Sequence, residues 1–422
     1  MKSMSPPPPH RQSSGSPVDG LTDSDLITVP TTKTNEEEGN SEINVPKKRL
    51  KVKNGGYYLR TCKRLESNIN SLPDDIVFDI LVQIPAQDIY SAVRPVCRKW
   101  YQMIHTHKFV NTHLHHSTYG LLLQKRVSQS IELTSMSLSR QGQIELTRLN
   151  YEPEYHIWCS SCNGLILESE PSYNPILHIS NPVTMQSFYL PRPVYPLSGL
   201  YFRCSAIAYA SLSMQYKVVQ VYFQEIQWGC IILTVGVDET WRRVCTQHLS
   251  PKAKENLMYA PLTTEGFVHW FKNSKYVLTL NVETEIITKY LAPSSGDRLY
   301  YFSTAKYLSL LIADASRELS WEVWEMKPET GEWTQLPGID LKDRFGLLSE
   351  CDTIYKLSAA YISSSLVPVG WLEYKEVLLY RVPLGICVAW NIRLKEYEFI
   401  ELDSNLHGFF THRNSLLWLD GC

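Results

Sequence analysis

The chain has 422 residues, of which 44% are hydrophobic and 20% charged, enough for one large buried core or two. Its formal net charge of -2 argues against a global electrostatic grip on nucleic acid or anionic lipid. Ten irregularly spaced cysteines, an N-terminus without an apolar signal core and no run near the roughly 18 apolar residues of a membrane span predict a reducing compartment, nucleus and/or cytoplasm, with no membrane partner.

Residues 1–66 form a low-complexity tail. Pro6 to Pro9, a Ser/Gly-rich stretch and the acidic run Glu36-Glu37-Glu38 offer too little apolar surface to offset the entropy of ordering, so disorder is expected over 1–55. Within this tail Lys47, Lys48, Arg49, Lys51 and Lys53 place five positive charges on an exposed segment able to thread an acidic groove. The segment is similar to a nuclear-import signal; a solvated charge run is the alternative.

Residues 67–115 read as three short helices. Pro73 suits a helix start, Asp74 and Asp75 complement the helix dipole, and Ile76, Ile80 and Ile84 recur every four residues beside Val77 and Leu81. Pro85 stops this helix, Ile89 and Val93 mark a second, and Pro95 opens a third carrying Val96, Trp100, Met103 and Ile104. Units below about 40 residues rarely fold without a metal, a disulfide or a partner, so a partner is expected to cover the apolar side. A helical cap with a private core is the alternative.

Leu72-Pro73-Asp74-Asp75-Ile76, Ile80-Leu81, Ile84-Pro85 and Arg94-Pro95-Val96-Cys97-Arg98-Lys99-Trp100 resemble an F-box. The resemblance implies that Leu72, Pro73, Ile76, Ile80, Leu81, Ile84, Pro85 and Ile89 meet a Skp-type adaptor and, through it, cullin and RING subunits. Val93, Val96 and Trp100 would hold the helices together. Pro95, where the family often has cysteine, and the polar Tyr90-Ser91-Ala92 depart from the pattern.

From 116 to 422 short runs rich in Tyr, Trp, Val, Ile and Thr alternate with turn residues, the texture of antiparallel strands. Hairpin-like stretches return at 176–191, 233–243, 280–286, 323–333 and 389–397, a spacing near the roughly 40–50 residues of propeller blades. The fold expected is α+β multidomain: a short three-helix F-box, then a mainly antiparallel, propeller-like all-β domain of six blades, with a β-sandwich as the alternative. Ser161-Cys162-Asn163-Gly164-Leu165-Ile166, Asn181-Pro182, Tyr216-Lys217-Val218-Val219, Trp241-Arg242, Gly266-Phe267-Val268-His269-Trp270 and Trp321-Glu322-Val323-Trp324 are similar to the F-box-associated domain of plant F-box proteins.

No catalytic residue, metal site or cofactor is expected. Cys159 and Cys162 have zinc-knuckle spacing without a second ligand pair, and His105, His107, His113, His115 and His116 read as an exposed polar face. The function implied by the resemblance is target recognition in an SCF ubiquitin ligase, a non-catalytic role with an unidentified target protein. A propeller-type carbohydrate-binding or glycoside-processing protein is one rival; a nuclear nucleic-acid binder using residues 46–64 is the other.

Overall fold

The computed structural model describes residues 72–418 apart from 128–129, 140, 152–156, 170–174, 194–200, 225, 272–274, 295–297, 314–318, 342–365, 383–384 and 403–405. The tail with its basic segment, Lys47, Lys48, Arg49, Lys51 and Lys53, lies outside the described residues.

Short helices open the described chain: α1 (Asp74–Leu81), α2 (Ala86–Asp88) widening into a π-turn over Ile89–Val93, α3 (Arg98–Ile104) and α4 (His107–His116). Pro73 and Pro85 precede α1 and α2, each with φ -55°, the angle their rings impose. The Cys97 sulfur accepts the Trp100 amide at 3.5 Å, and the Thr106 hydroxyl oxygen accepts the Phe109 amide at 3.2 Å. The third helix therefore starts at Arg98, and Pro95 stands in the turn before it. Helix α4 adds a fourth to the three expected, burying Phe109, Val110, His113 and Leu114 along one stripe.

Six antiparallel four-stranded sheets follow. Five are sequential in the chain, running from β4 (Ile157–Cys162) to β7 (Gln186–Tyr189), β8 (Tyr201–Ala210) to β11 (Arg242–Arg243), β12 (Leu262–Thr264) to β15 (Ile286–Leu291), β16 (Leu299–Ser303) to β19 (Trp333–Asp340) and β20 (Val367–Leu372) to β23 (Glu396–Glu401). The remaining sheet joins the first strands, β1 (Gly120–Val127), β2 (Ser130–Leu138) and β3 (Ile144–Arg148), to the last, β24 (Leu406–His412). Strand β24 pairs with β1, Leu122 standing opposite Phe410, so the end of the chain closes the ring.

Burial shows why this is a propeller and not a sandwich. Each pair of neighbouring sheets has its own buried cluster rather than a share in one slab. Leu122 and Leu133 meet Ile166; Leu167 and Ile179 meet Ile207; Val219 and Ile232 meet Trp270. Val277 meets Leu310, Trp321 meets Tyr380, and Leu379 meets Leu121, which completes the circle. Successive residues of an inner strand serve opposite neighbours: Leu121 and Leu123 face one blade and Leu122 the other. Blades thus bury both faces, and no blade is stable without those beside it.

The recurring hairpins of the sequence are the turns between the third and fourth strands of the blades. Asn181, Asn281 and Asn391 each fold back a side-chain oxygen to accept amides two or three residues on, at 2.9 Å for Val183, Glu283 and Leu394. The turns then pass through positive φ at Met185, Glu285 and Lys395. In the equivalent turn after β18 (Ser320–Met326) the position is Gly331, with φ +73°, where any Cβ would strike the Tyr290 ring. Tryptophans then tie blade to blade: Trp241 donates to the Pro191 carbonyl and Trp333 to the Leu291 carbonyl, both at 2.7 Å.

One such turn carries a charge network. Glu285 accepts from Lys217 at 2.9 Å and from Arg242 at 2.5 Å, and Arg242 also pairs with Asp238 at 3.0 Å, locking the third blade to the fourth. Burial alone would raise the Glu285 carboxyl, but hydrogen bonds from Arg242 and Lys217 outweigh it and hold it below its ordinary 4.5. This stabilisation is complete above that value and disappears as pH falls through the depressed folded one. Glu285→Gln should therefore flatten the acid limb of a urea-midpoint-against-pH curve below about pH 4.5, relative to the parent chain. At neutral pH it should cost about 1–2 kcal/mol, because Lys217 is left buried beside a neutral group.

Candidate functional site

Helix α1 is apolar on two adjacent faces, and the fold uses them differently. Val77 and Leu81, four apart, point into the helical core with Val82, Ala86, Ile89, Val93, Ile104 and Phe109. Ile76 and Ile80, also four apart, point outward and remain 43% and 51% exposed. Pro73 and Pro85 are exposed at the two ends of this strip, while Leu72 and Ile84 are half-buried against the core. Of the eight positions assigned to adaptor contact, Leu81 and Ile89 are thus enclosed, at 1% and 0% exposure, and would support such a surface from beneath. Among the three assigned to holding the helices, Val93 is buried and Trp100 half-buried, but Val96 is 56% exposed, since it sits in the turn before α3.

The helices do not wait for another protein to complete their core. Val183, in the turn after β6 (Leu177–Asn181), and Leu416, beyond β24, close it from the propeller side. The same Asn181 that shapes the turn donates its amide to the Ser415 and Leu417 carbonyls, at 3.2 and 2.8 Å. Gly164, with φ +86°, lets this C-terminal segment pass so close that a Cβ would overlap the Ser415 side chain. Beyond it Trp418 stacks on His105, ring centroids 4.1 Å apart, and His105 stacks on Tyr101. His113, expected on an exposed face, is buried, and its Nε2 meets the Ile84 carbonyl at 2.9 Å. Burial depresses its basicity, so the ring is held neutral. Leu416→Ala should cost about 2–5 kcal/mol of helix seating. Hydrogen exchange would show α1 to α4 losing protection while β9 (Gln215–Gln224) and β14 (Tyr276–Asn281) keep theirs.

The second feature is the axial channel, a cavity of about 530 Å³ lined by the innermost strand of every blade, β4, β8, β12, β16, β20 and β24. Hydroxyl side chains bridge the strands around it. Thr263 donates to the Ser161 carbonyl at 3.3 Å, Ser303 to the Thr263 carbonyl, and Thr411 to the Ser303 carbonyl at 3.0 Å. Ser161 meets His412 Nδ1 at 2.7 Å, and burial lowers the His412 pKa to about 4, leaving a neutral imidazole. Cys162 also lines the channel, its thiol pushed up to about 12 by burial, so it is no nucleophile at neutral pH. The side chain of Cys159 lies outside the described residues. No group of three metal-ligating side chains occurs among the described residues, and the channel lining holds one carboxylate, Glu265, where glycoside hydrolysis uses two.

A short helical unit is thus seated on a six-bladed propeller. The sequence pattern of the F-box associated beta propeller domain matches residues 120–337, and the F-box-like pattern matches 69–115. The chain belongs to the plant F-box proteins that carry this propeller domain. F-box protein At3g07870 of Arabidopsis thaliana is 27% identical over 167 residues, 37% of this chain and 39% of that protein. A second Arabidopsis F-box relative, At3g10240, is 25% identical over 257 residues, 56% of this chain and 64% of the other. The matched part spans less than two thirds of either relative. Among solved structures the Dos1 propeller overlays with a TM-score of 0.33 at 11% identity, covering 70% of this chain and 68% of that one.

Proposed function

We propose that this chain is the target-recognition subunit of an SCF ubiquitin ligase, docking a Skp-type adaptor through the outer strip of its helices and holding a target protein on its propeller. The observation that carries the reading is the isoleucine pair Ile76 and Ile80. The inner core is already complete without it, so among the described residues a strip of two β-branched apolar side chains between Pro73 and Pro85 has no packing role. Lys99 and Asp74 pair at its margin, both exposed, giving the apolar strip a charged rim.

The antiparallel order divides the propeller into two ends. Turns between first and second strands and between third and fourth strands, Asn163 and Val183 among them, face the helices. The opposite end of the described strands points away from the helices, so a target held there would not displace the adaptor. No chemistry on this chain is required. A lysine of the held target meets the activated thioester of the ligase at a raised effective concentration, and proximity does the rest. Cullin and RING subunits join through the adaptor. The basic segment Lys47-Lys48-Arg49, with Lys51 and Lys53, supports a nuclear as well as cytoplasmic location, testable by imaging a fusion lacking residues 47–53.

The test is co-elution. Full-length chain mixed with a Skp-type adaptor should run as one species on a sizing column, and adding cullin should shift that species further. Separate elution at concentrations of about 10 μM, where even modest interfaces associate, would defeat the reading.

A further inference from the structure

Arg413 directly follows the innermost strand β24 and borders the axial channel at the end nearest the helices. It is only 7% exposed. One Nη donates to the Leu114 carbonyl in the last turn of α4 at 3.2 Å, the other donates to the Asn163 side-chain oxygen, and the guanidinium lies 4.5 Å over the Tyr119 ring. Every one of these partners is neutral. Among the described residues no carboxylate lies within ion-pair distance of it, and its Nε has no acceptor.

An arginine keeps its charge at any accessible pH, and a buried charge without a counter-charge costs several kcal/mol. The carbonyl end of α4 offers about half a negative charge, and the Tyr119 face a little more, so the guanidinium is left without a full counter-charge in contact with it. The rest of the lining is different in kind. Tyr209, Tyr301, Phe302, Phe409 and Phe410 supply aromatic walls, and the Tyr301 hydroxyl is a buried donor without a partner. The neighbouring cavity, bordered also by Arg413, brings His115, His116, Lys306 and Glu373 close to this end, and Glu265 borders both.

We propose that the channel binds a compact aromatic monocarboxylate, its carboxylate neutralising Arg413 and its ring body lying among the channel aromatics. The volume of about 530 Å³ falls in the roughly 300–1,000 Å³ range of small-molecule sites. One guanidinium matches one carboxylate, charge for charge. A second negative charge would meet Glu265. A phosphate dianion would want several converging charged donors, and the channel lining supplies one guanidinium, Arg413. This site is independent of the adaptor strip, so it stands or falls separately from the ligase reading.

Calorimetric titration of the full-length chain with naphthoate, naphthamide and inorganic phosphate tests it. Naphthoate should bind, and naphthamide, the same shape without the charge, should bind at least about tenfold more weakly, as loss of a charge-assisted pair requires. Phosphate should bind more weakly than naphthoate. Arg413→Gln should reduce naphthoate affinity to that of naphthamide, and Glu265→Gln should strengthen it. Because Arg413→Gln also loosens α4, the acid-against-amide comparison on the unaltered chain decides. Equal binding of acid and amide, tighter binding of phosphate, or no naphthoate heat up to about 10 mM overturns the proposal.

Discussion

Replacing both Ile76 and Ile80 with aspartate is expected to weaken binding of a Skp-type adaptor by at least about 100-fold, roughly 2.7 kcal/mol, without lowering the melting temperature of the chain. Full burial of one such side chain yields about 1.5–3 kcal/mol. Each isoleucine is already about half covered, so docking recovers the remaining half from both, together about 2 kcal/mol. Two carboxylates then forced against an apolar partner surface add a desolvation penalty of similar or larger size. The fold should tolerate the change, because neither side chain belongs to the inner cluster of Val77, Leu81 and Ile89. Val77→Asp is the contrast: at 3% exposure inside the helical core, a carboxylate there should unfold the helical unit. Affinity measured by surface capture, with thermal melting in parallel, separates the two. An aspartate pair that leaves affinity within about threefold would remove the strip from the interface.

Truncation after Leu402 should do more damage than any single substitution. It removes β24, leaving β1 as an unpaired edge on the channel, and with it Arg413, Leu416 and Trp418. The blade that closes the ring loses its innermost strand, and the helices lose their seat. Since each blade's burial depends on both neighbours, the loss should exceed the roughly 5–15 kcal/mol by which a typical domain is stable. Calorimetry should show the cooperative transition of the full chain replaced by a broad or absent one, and limited proteolysis should cut throughout. A truncated chain melting within a few degrees of the parent would mean that the ring closes without β24.

The sequence carried the turn chemistry and the front motif openly. Asn181, Asn281 and Asn391 mark blade turns because a short amide side chain folds back onto the amides that follow it, and the Leu-Pro start with Trp100 marks the helices. Three things could not be read. Which apolar pair faces outward is invisible, since Val77/Leu81 and Ile76/Ile80 have the same spacing and differ by about 100° around the helix. The alternation that usually exposes a strand is absent where both faces are buried, as in Leu121-Leu122-Leu123, so individual strands merged into apolar runs. The closure by β24 and the burial of Arg413 are long-range facts: Arg413 meets Asn163 across 250 positions, and nothing local around Thr411-His412-Arg413 announces it. The partner argument also needed revision. Smallness led to the expectation of a second protein under the helices, yet Val183 and Leu416 of the same chain fill that place, and only the outer strip remains open.

The seat supplied by Leu416 has a consequence for the order of events during synthesis. The helices leave the ribosome before the strands, whereas the residue that completes their core follows all twenty-four described strands. Until then both apolar faces of α1 are bare, and whatever protein first shields them meets a chain still being made. Nascent copies stalled anywhere before β24 would expose that greasy surface to chaperones and proteases.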